Sequence, residues 1–260
     1  MPMPSVGAPS AVPQRLEGTV SIVTGASGGL GRSLAARLAA EGSTVACLDV
    51  TEPVPDSADD SPGENEHLFD CDITDEGQVS RTVSEVAERF GGIDILVNNA
   101  GLLSGRRSFL EATPEEMHRY FDVNAVGPLL MSQACCPHLR DSEWRGRIIN
   151  VASRTFFTGN PGQLAYIASK GALMGMTRVL AHELGEDRIT VNAVMPAQVA
   201  TPGTREHSGE EVFAKTMERQ AIREFVTPSH FAGMVAYLAS PDGMLVTGQT
   251  MVCDGGGLMR

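Results

Sequence analysis

The sequence predicts an α/β domain, a parallel sheet wound with helices on both faces. Three observations predict it. Short apolar runs alternate with segments of helical period along the whole chain. The runs are continuously apolar rather than alternating, as in strands covered on both sides. A glycine cluster follows the first run and opens the first helix. At 260 residues, with no internal repeat, the chain reads as one doubly wound domain over residues 16–260. Residues 1–15, rich in proline and small side chains, read as a flexible tail.

"TVSIVT" (19–24) is a β-branched apolar strand, and "LGRSLAARLAAEG" is a helix ending at Gly42. "TVACLD" (44–49) is the second strand, which completes a βαβ unit. The acidic, Pro- and Ser-rich stretch 51–66 reads as an exposed loop. "HLFDCDI" is a third strand, "DEGQVSRTVSEVAERFG" an amphipathic helix, and "DILVNNAG" a fourth strand running into a loop. Thr113-Pro114 supplies an N-cap and a first-turn proline for a helix running towards Pro137. "GRIINVAS" is the fifth strand, "AYIASKGALMGMTRVLAHEL" a long helix buried on several sides, and "ITVNAVM" the sixth strand. Residues 196–209 read as a loop. Two helices follow, then a seventh strand near "QTMVCD".

Bulk properties exclude several classes of function. A net charge of −12 disfavours nucleic acid and anionic membranes. No apolar run is long enough to cross a bilayer, and the opening residues lack a secretory pattern. Five cysteines, several in apolar runs and none at metal-ligand spacing, point to a reducing cytoplasmic setting without a metal. The six histidines are scattered, and Ser153 lacks the glycine-flanked turn of a hydrolase nucleophile.

The glycine turn "TGASGGLG" places Gly25, Gly29 and Gly31 between strand and helix. A pyrophosphate needs that geometry: a tight turn, backbone without Cβ, and a helix N-terminus facing the charge. Asp49 ends the second strand 18 residues beyond Gly31. A carboxylate there can accept both adenosine ribose hydroxyls and would repel a 2′-phosphate, so NAD(H) is expected over NADP(H). Asp72 could take the adenine amino group or serve a turn. "NNAG" (98–101) could pin neighbouring strands or could be a plain turn.

Tyr166 and Lys170 stand four apart in a predicted helix and share a face. Free tyrosine, with a pKa of about 10, is a poor base at neutral pH. A nearby ammonium favours the phenolate and makes tyrosine a usable proton donor or acceptor. Ser153, 13 residues earlier at a strand's carboxyl end, can hold a substrate oxygen. Asn124 sits in a helix interior, where asparagine is unfavourable. It marks either a kink or a local break holding a water for a relay with Lys170.

These residues, in this order and spacing, resemble the short-chain dehydrogenase/reductases over about residues 16–258. The resemblance implies a single Rossmann-like domain, a homotetramer and a catalytic set Asn124, Ser153, Tyr166 and Lys170. In that set tyrosine is the acid/base, serine positions the carbonyl, and lysine binds the nicotinamide ribose and lowers the tyrosine pKa. It also implies dinucleotide contacts at Ser27, Leu30, Ile73, Asn99, Ala100, Gly101, Pro196, Val199 and Thr201. One position departs from the family: Ala197 follows Pro196 where glycine is usual. Alanine restricts the backbone and adds a methyl group near the reacting centre.

Substrate walls are expected at Leu102, Leu103, Thr155, Phe156, Phe157 and Gln198, although both phenylalanines could equally be core. His207 reads as an exposed loop residue. No cation cluster suggests a charged substrate. "RTFFTGNP", "MPAQV" and "DGGGLMR" look closest to the family's 1-phenylethanol and pyridoxal 4-dehydrogenases, both NAD-dependent. That implies a small cyclic or aromatic secondary alcohol or its carbonyl. The alternatives are a 3-oxoacyl thioester or steroid reductase, and a catalytically silent dinucleotide sensor.

Overall fold

The computed structural model describes residues 14–50, 62–103, 107–199 and 201–259, with the side chains of 202, 203 and 205–210 left out of the description. The loop expected at 51–66 therefore lies mostly outside the described residues, as do residues 1–13 and the His207 side chain.

Seven parallel strands run in the order β3-β2-β1-β4-β5-β6-β7. They are β1 (Val20–Thr24), β2 (Thr44–Asp49), β3 (Glu66–Asp70), β4 (Ile95–Asn98), β5 (Arg147–Val151), β6 (Thr190–Pro196) and β7 (Thr250–Cys253). Strand side chains go alternately to the two faces. Ile22, Leu48, Leu96 and Ile148 join one core with Val79, Val83, Met131 and Leu139. Val23, Cys47, Val97 and Ile149 join the other with Leu34, Leu38, Phe231 and Val235. Both faces are covered, which is why the strands read as unbroken apolar runs. Truncating a fully buried leucine such as Leu96 to alanine costs roughly 2–5 kcal/mol.

The helices are α1 (Gly29–Ala40), α2 (Glu76–Phe90), α3 (Pro114–Phe121), α4 (Gly127–Asp141), α5 (Thr155–Thr158), α6 (Leu164–Glu183), α7 (Pro202–Glu218) and α8 (Pro228–Ala239). Threonine followed by proline starts three of them. Thr113, Thr201 and Thr227 each accept a backbone N–H of their own first turn.

Several boundaries differ from expectation. The helix predicted from Pro114 to Pro137 is two helices joined by a π-helical turn, Asp122–Val126, with Asn124 inside it. It also passes Pro137, which stands inside α4 towards its C-terminal end and deprives that helix of one backbone hydrogen bond. The loop expected at 196–209 is helical from Pro202. Thr201 and Thr204 cap each other reciprocally there, and Phe213 buries the helix against the domain. Glu66 belongs to β3 and is buried in an ion pair with Arg32. Gln14 and Arg15, assigned to the tail, are anchored. Gln14 Nε2 donates to Ala40 O at 2.8 Å, and Arg15 forks onto the fully buried Glu41 carboxylate with two bonds of 2.8 Å.

Candidate active site

Strand order reverses between β1 and β4, so their carboxyl ends open a crevice. A cleft of about 1180 Å³ lies there. At Gly25, with φ +65°, an added Cβ would stand 2.7 Å from Ala100 Cα. Gly31 is equally closed, against the Gly25 carbonyl and Asn99 Nδ2. The N-cap of α1, Gly28, offers no side-chain cap, so the first N–H groups of α1 have no side-chain acceptor at that position. A tight glycine turn beneath such a helix end fits a pyrophosphate. Ser27, Gly29 and Leu30 line the same wall.

Asp49 reaches the cleft from the end of β2. Its Oδ2 accepts the Ser27 N–H at 2.9 Å and its Oδ1 the Val50 N–H at 2.8 Å, so the carboxylate also braces the glycine turn. Asp72 lines the cleft beside Ile73, while its Oδ1 closes a turn with the Thr74 N–H at 2.9 Å and hydroxyl at 2.7 Å. The asparagines of "NNAG" do pin strands. Asn98 Nδ2 donates to Asn150 Oδ1 at 2.9 Å, and Asn150 Nδ2 passes on to Thr177 Oγ1 at 2.9 Å. Asn99 Nδ2 donates to the Thr24 and Gly25 carbonyls, which fixes β4 to the glycine turn.

The four expected catalytic residues gather at one end. The half-buried Tyr166 phenol is hydrogen-bonded by Ser153, whose hydroxyl lies 2.8 Å from that of Thr155. Lys170 is buried and donates from Nζ to Val151 O at 2.8 Å. Gly101 admits it closely, since a Cβ there would lie 3.2 Å from Nζ. Asn124 is fully buried. Its Oδ1 accepts the Leu102 N–H at 2.9 Å, and its Nδ2 donates to Ser169 Oγ at 3.0 Å. Ser169 in turn donates to the Tyr166 carbonyl at 2.8 Å. Asn124 thus ties the loop after β4 to α6.

The electrostatics depart from the expected pairing. Burial pushes the Tyr166 phenol above its ordinary value, the Ser153 hydrogen bond pulls it partly back, and the Tyr120 phenol adds an upward push. Burial also lowers Lys170 from 10.5 to about 8. At about 8 the lysine still carries its charge at neutral pH and loses it only as the pH rises past that value. Tyr120, absent from the sequence reading, meets the Tyr166 ring edge-on at 6.4 Å and donates to Leu103 O at 2.9 Å.

The substrate end corrects two residues. Phe156 and Phe157 do not line the cleft. Phe156 lies on the notch left by Gly171 in α6, and Phe157 packs beside Ala152 and Met174. The walls are Leu102, Leu103 and Val123 with Thr155, Gln163 and Gln198. Ala197 needs no special backbone angle. It is 8 % exposed and packs with Val199 and Val226 while still lining the cleft. Pro196, Val199 and Thr201 line the cleft, and Thr201 stands beside Gly29. The cleft also takes in Arg154, Gly257 and, from α7, Val212, Lys215, Thr216 and Arg219. Sequence reasoning missed Val212, Lys215, Thr216 and the C-cap Arg219, although they follow the expected loop 196–209 in a segment read as helical. Their spacing i, i+3, i+4, i+7 on one helix face was the available signal.

A family model described as enoyl-(acyl carrier protein) reductase matches residues 25–257. The chain is 36 % identical over 247 residues to a 3-oxoacyl-[acyl-carrier-protein] reductase of Thermotoga maritima, covering 93 % of this chain and 98 % of the relative. It is 34 % identical over 244 residues to a meso-2,3-butanediol dehydrogenase of Serratia marcescens, covering 93 % and 95 %. It is 33 % identical over 247 residues to a 2-dehydro-3-deoxy-D-gluconate 5-dehydrogenase of Escherichia coli, covering 94 % and 97 %. The fold, the site and these matches agree: the chain belongs to the short-chain dehydrogenase/reductase family. It is an oxidoreductase acting on CH–OH groups, in a family whose dehydrogenases take a nicotinamide dinucleotide, NAD or NADP.

Proposed function

We propose that the protein is an NAD(H)-dependent oxidoreductase that interconverts a small secondary alcohol, cyclic or aromatic, and its carbonyl. The observation that carries this reading is the Ser153–Tyr166–Lys170 grouping at the mouth of the cleft. Ser153 holds the substrate oxygen, and Tyr166 gives it or takes from it the hydroxyl proton. Lys170, reached through the gap at Gly101, faces the nicotinamide ribose and biases Tyr166 when charged. Asn124 positions the loop after β4 and holds a water for a proton relay with Lys170. When bound, the dinucleotide supplies or accepts the hydride. Asp49, at the ribose end, supports NAD(H) over NADP(H). The apolar wall of Leu102, Leu103 and Val123 suits a compact ring. Four copies in the cytoplasm, as the family resemblance implies, complete the reading. The exposed Val126, Leu164 and Val179 offer apolar surface for such an assembly.

A second reading, a 3-oxoacyl thioester reductase, is favoured by the open cleft flanked by Lys215 and Arg219 and by the name of the Thermotoga relative. Turnover of cyclic and aromatic ketones against 3-oxoacyl thioesters, followed by NADH loss, separates the two. In either case Tyr166→Phe is expected to lower kcat by roughly 10²–10⁴-fold while NADH still binds. Undiminished turnover in that variant would remove the mechanism.

A further inference from the structure

We infer that the substrate carries an anionic group, a carboxylate or phosphate, received by Arg219 at the end of α7. The inference rests on the oxidoreductase reading above and names the class of substrate for that site.

The charge is distributed unevenly. The chain has a net charge of −12, yet the only carboxylates lining the cleft among the described residues are Asp49 and Asp72, both at the glycine-turn end. The cations lining the cleft are Arg154, Lys170, Lys215 and Arg219. Two of these already have carboxylates. Arg154 Nη1 stands 3.3 Å from Asp254 Oδ2, and Lys215 Nζ stands 2.6 Å from Glu211. Lys170 is committed to the reaction centre. Arg219 has no carboxylate partner among the described residues. Lys215 and Arg219 are four apart on one helix face, so both point at the same space.

The dinucleotide's pyrophosphate does not answer to this cation. Helix α7 starts beside the glycine turn, where a methyl group on Gly29 would lie 3.7 Å from the Thr201 hydroxyl. From Thr201 to Arg219 the helix axis runs about 27 Å, at about 1.5 Å per residue. The far end meets the turn 254–257: the Ile222 N–H donates to Gly255 O at 2.9 Å, and Gly257 abuts Arg154, the neighbour of Ser153. Arg219 therefore overlooks the substrate half. A guanidinium facing a half-open cleft is suited to a carboxylate or phosphate held in a two-point contact.

The test uses pairs that differ chiefly in one anionic group: acetoacetate with methyl acetoacetate, and the 3-oxobutanoyl thioester of 4′-phosphopantetheine with that of pantetheine. The first pair reports a carboxylate on a small substrate and the second a phosphate on a carrier. We expect the anionic member of one pair to exceed the neutral one in kcat/KM by roughly 10- to 100-fold. The ratio should shrink with added salt, fall towards one in Arg219→Ala, and recover in part in Arg219→Lys. A ratio near one in both pairs, or one that Arg219→Ala leaves intact, overturns the inference. So does an absence of turnover with all four compounds while uncharged cyclic or aromatic ketones are reduced. Failure of the underlying reading looks different: either no ketone, charged or neutral, is reduced, or turnover survives Tyr166→Phe.

Discussion

Lys170 and Val151 are joined by a 2.8 Å hydrogen bond from the ammonium to a main-chain oxygen, with the lysine 4 % exposed. One bond does not replace lost water, and burial lowers the lysine from 10.5 to about 8. Between those values the unfolded chain holds a proton that the native protein does not, so stability rises with pH across that window. Below it, the native state bears the full cost of the buried charge, about 3 kcal/mol. Lys170→Met removes the charge. We expect its melting temperature at pH 7 to equal or exceed that of the wild type, with wild type gaining on it between pH 8 and 10. Melting curves across that range check this; a variant that loses stability equally at every pH contradicts it.

Asn124→Ala removes the acceptor of the part-buried Leu102 N–H and one donor to Ser169 Oγ, which keeps its own bond to Tyr166 O. The unpaired Leu102 N–H costs roughly 1–3 kcal/mol. Hydrogen exchange should accelerate at Leu102, and kcat should fall more than NADH affinity. Unchanged exchange at Leu102 would mean that the loop is held by something else.

Asp49→Ser removes the cleft carboxylate that braces Ser27 and that we propose receives the ribose. The preference for NADH over NADPH is expected to drop by roughly 10- to 100-fold. Fluorescence titration with both reduced cofactors reads it directly. An unaltered ratio would mean that another group discriminates the 2′-position.

Gly25→Ala forces a left-handed alanine against Ala100 Cα. Strain and overpacking together should cost roughly 2–5 kcal/mol and abolish dinucleotide binding. Gly18→Ala is the control. Its φ is +81° but nothing lies within 4 Å of the added Cβ, so a loss of about 1 kcal/mol is expected. Equal losses would show that backbone strain alone is at work.

Most of the fold was legible because strand composition and turn chemistry are local. β2 was bounded to the residue, and Thr113-Pro114 marked a helix start that the structure has. The same dipeptide at Thr201-Pro202 was passed over, since glycines and hydroxyl residues beyond it resemble loop sequence. Asn124 was legible as an anomaly, a poor helix residue at a π-helical turn. Its partners were not, because Leu102 and Ser169 lie 22 and 45 residues away and nothing local encodes them. Phe156 misled for a similar reason: the notch that holds it is Gly171, on another helix.

The cleft draws its two halves from opposite ends of the chain. The ribose-facing half is built from residues 25–101, on strands that pair among themselves as β3-β2-β1-β4. The other half needs β5 and β6, α7 and finally Gly257. The nucleotide shelf is thus one contiguous stretch of sequence, whereas the reacting half is stitched together from segments far apart along the chain. The two halves still share their cores, since α4 and α8 cover the strands of the shelf.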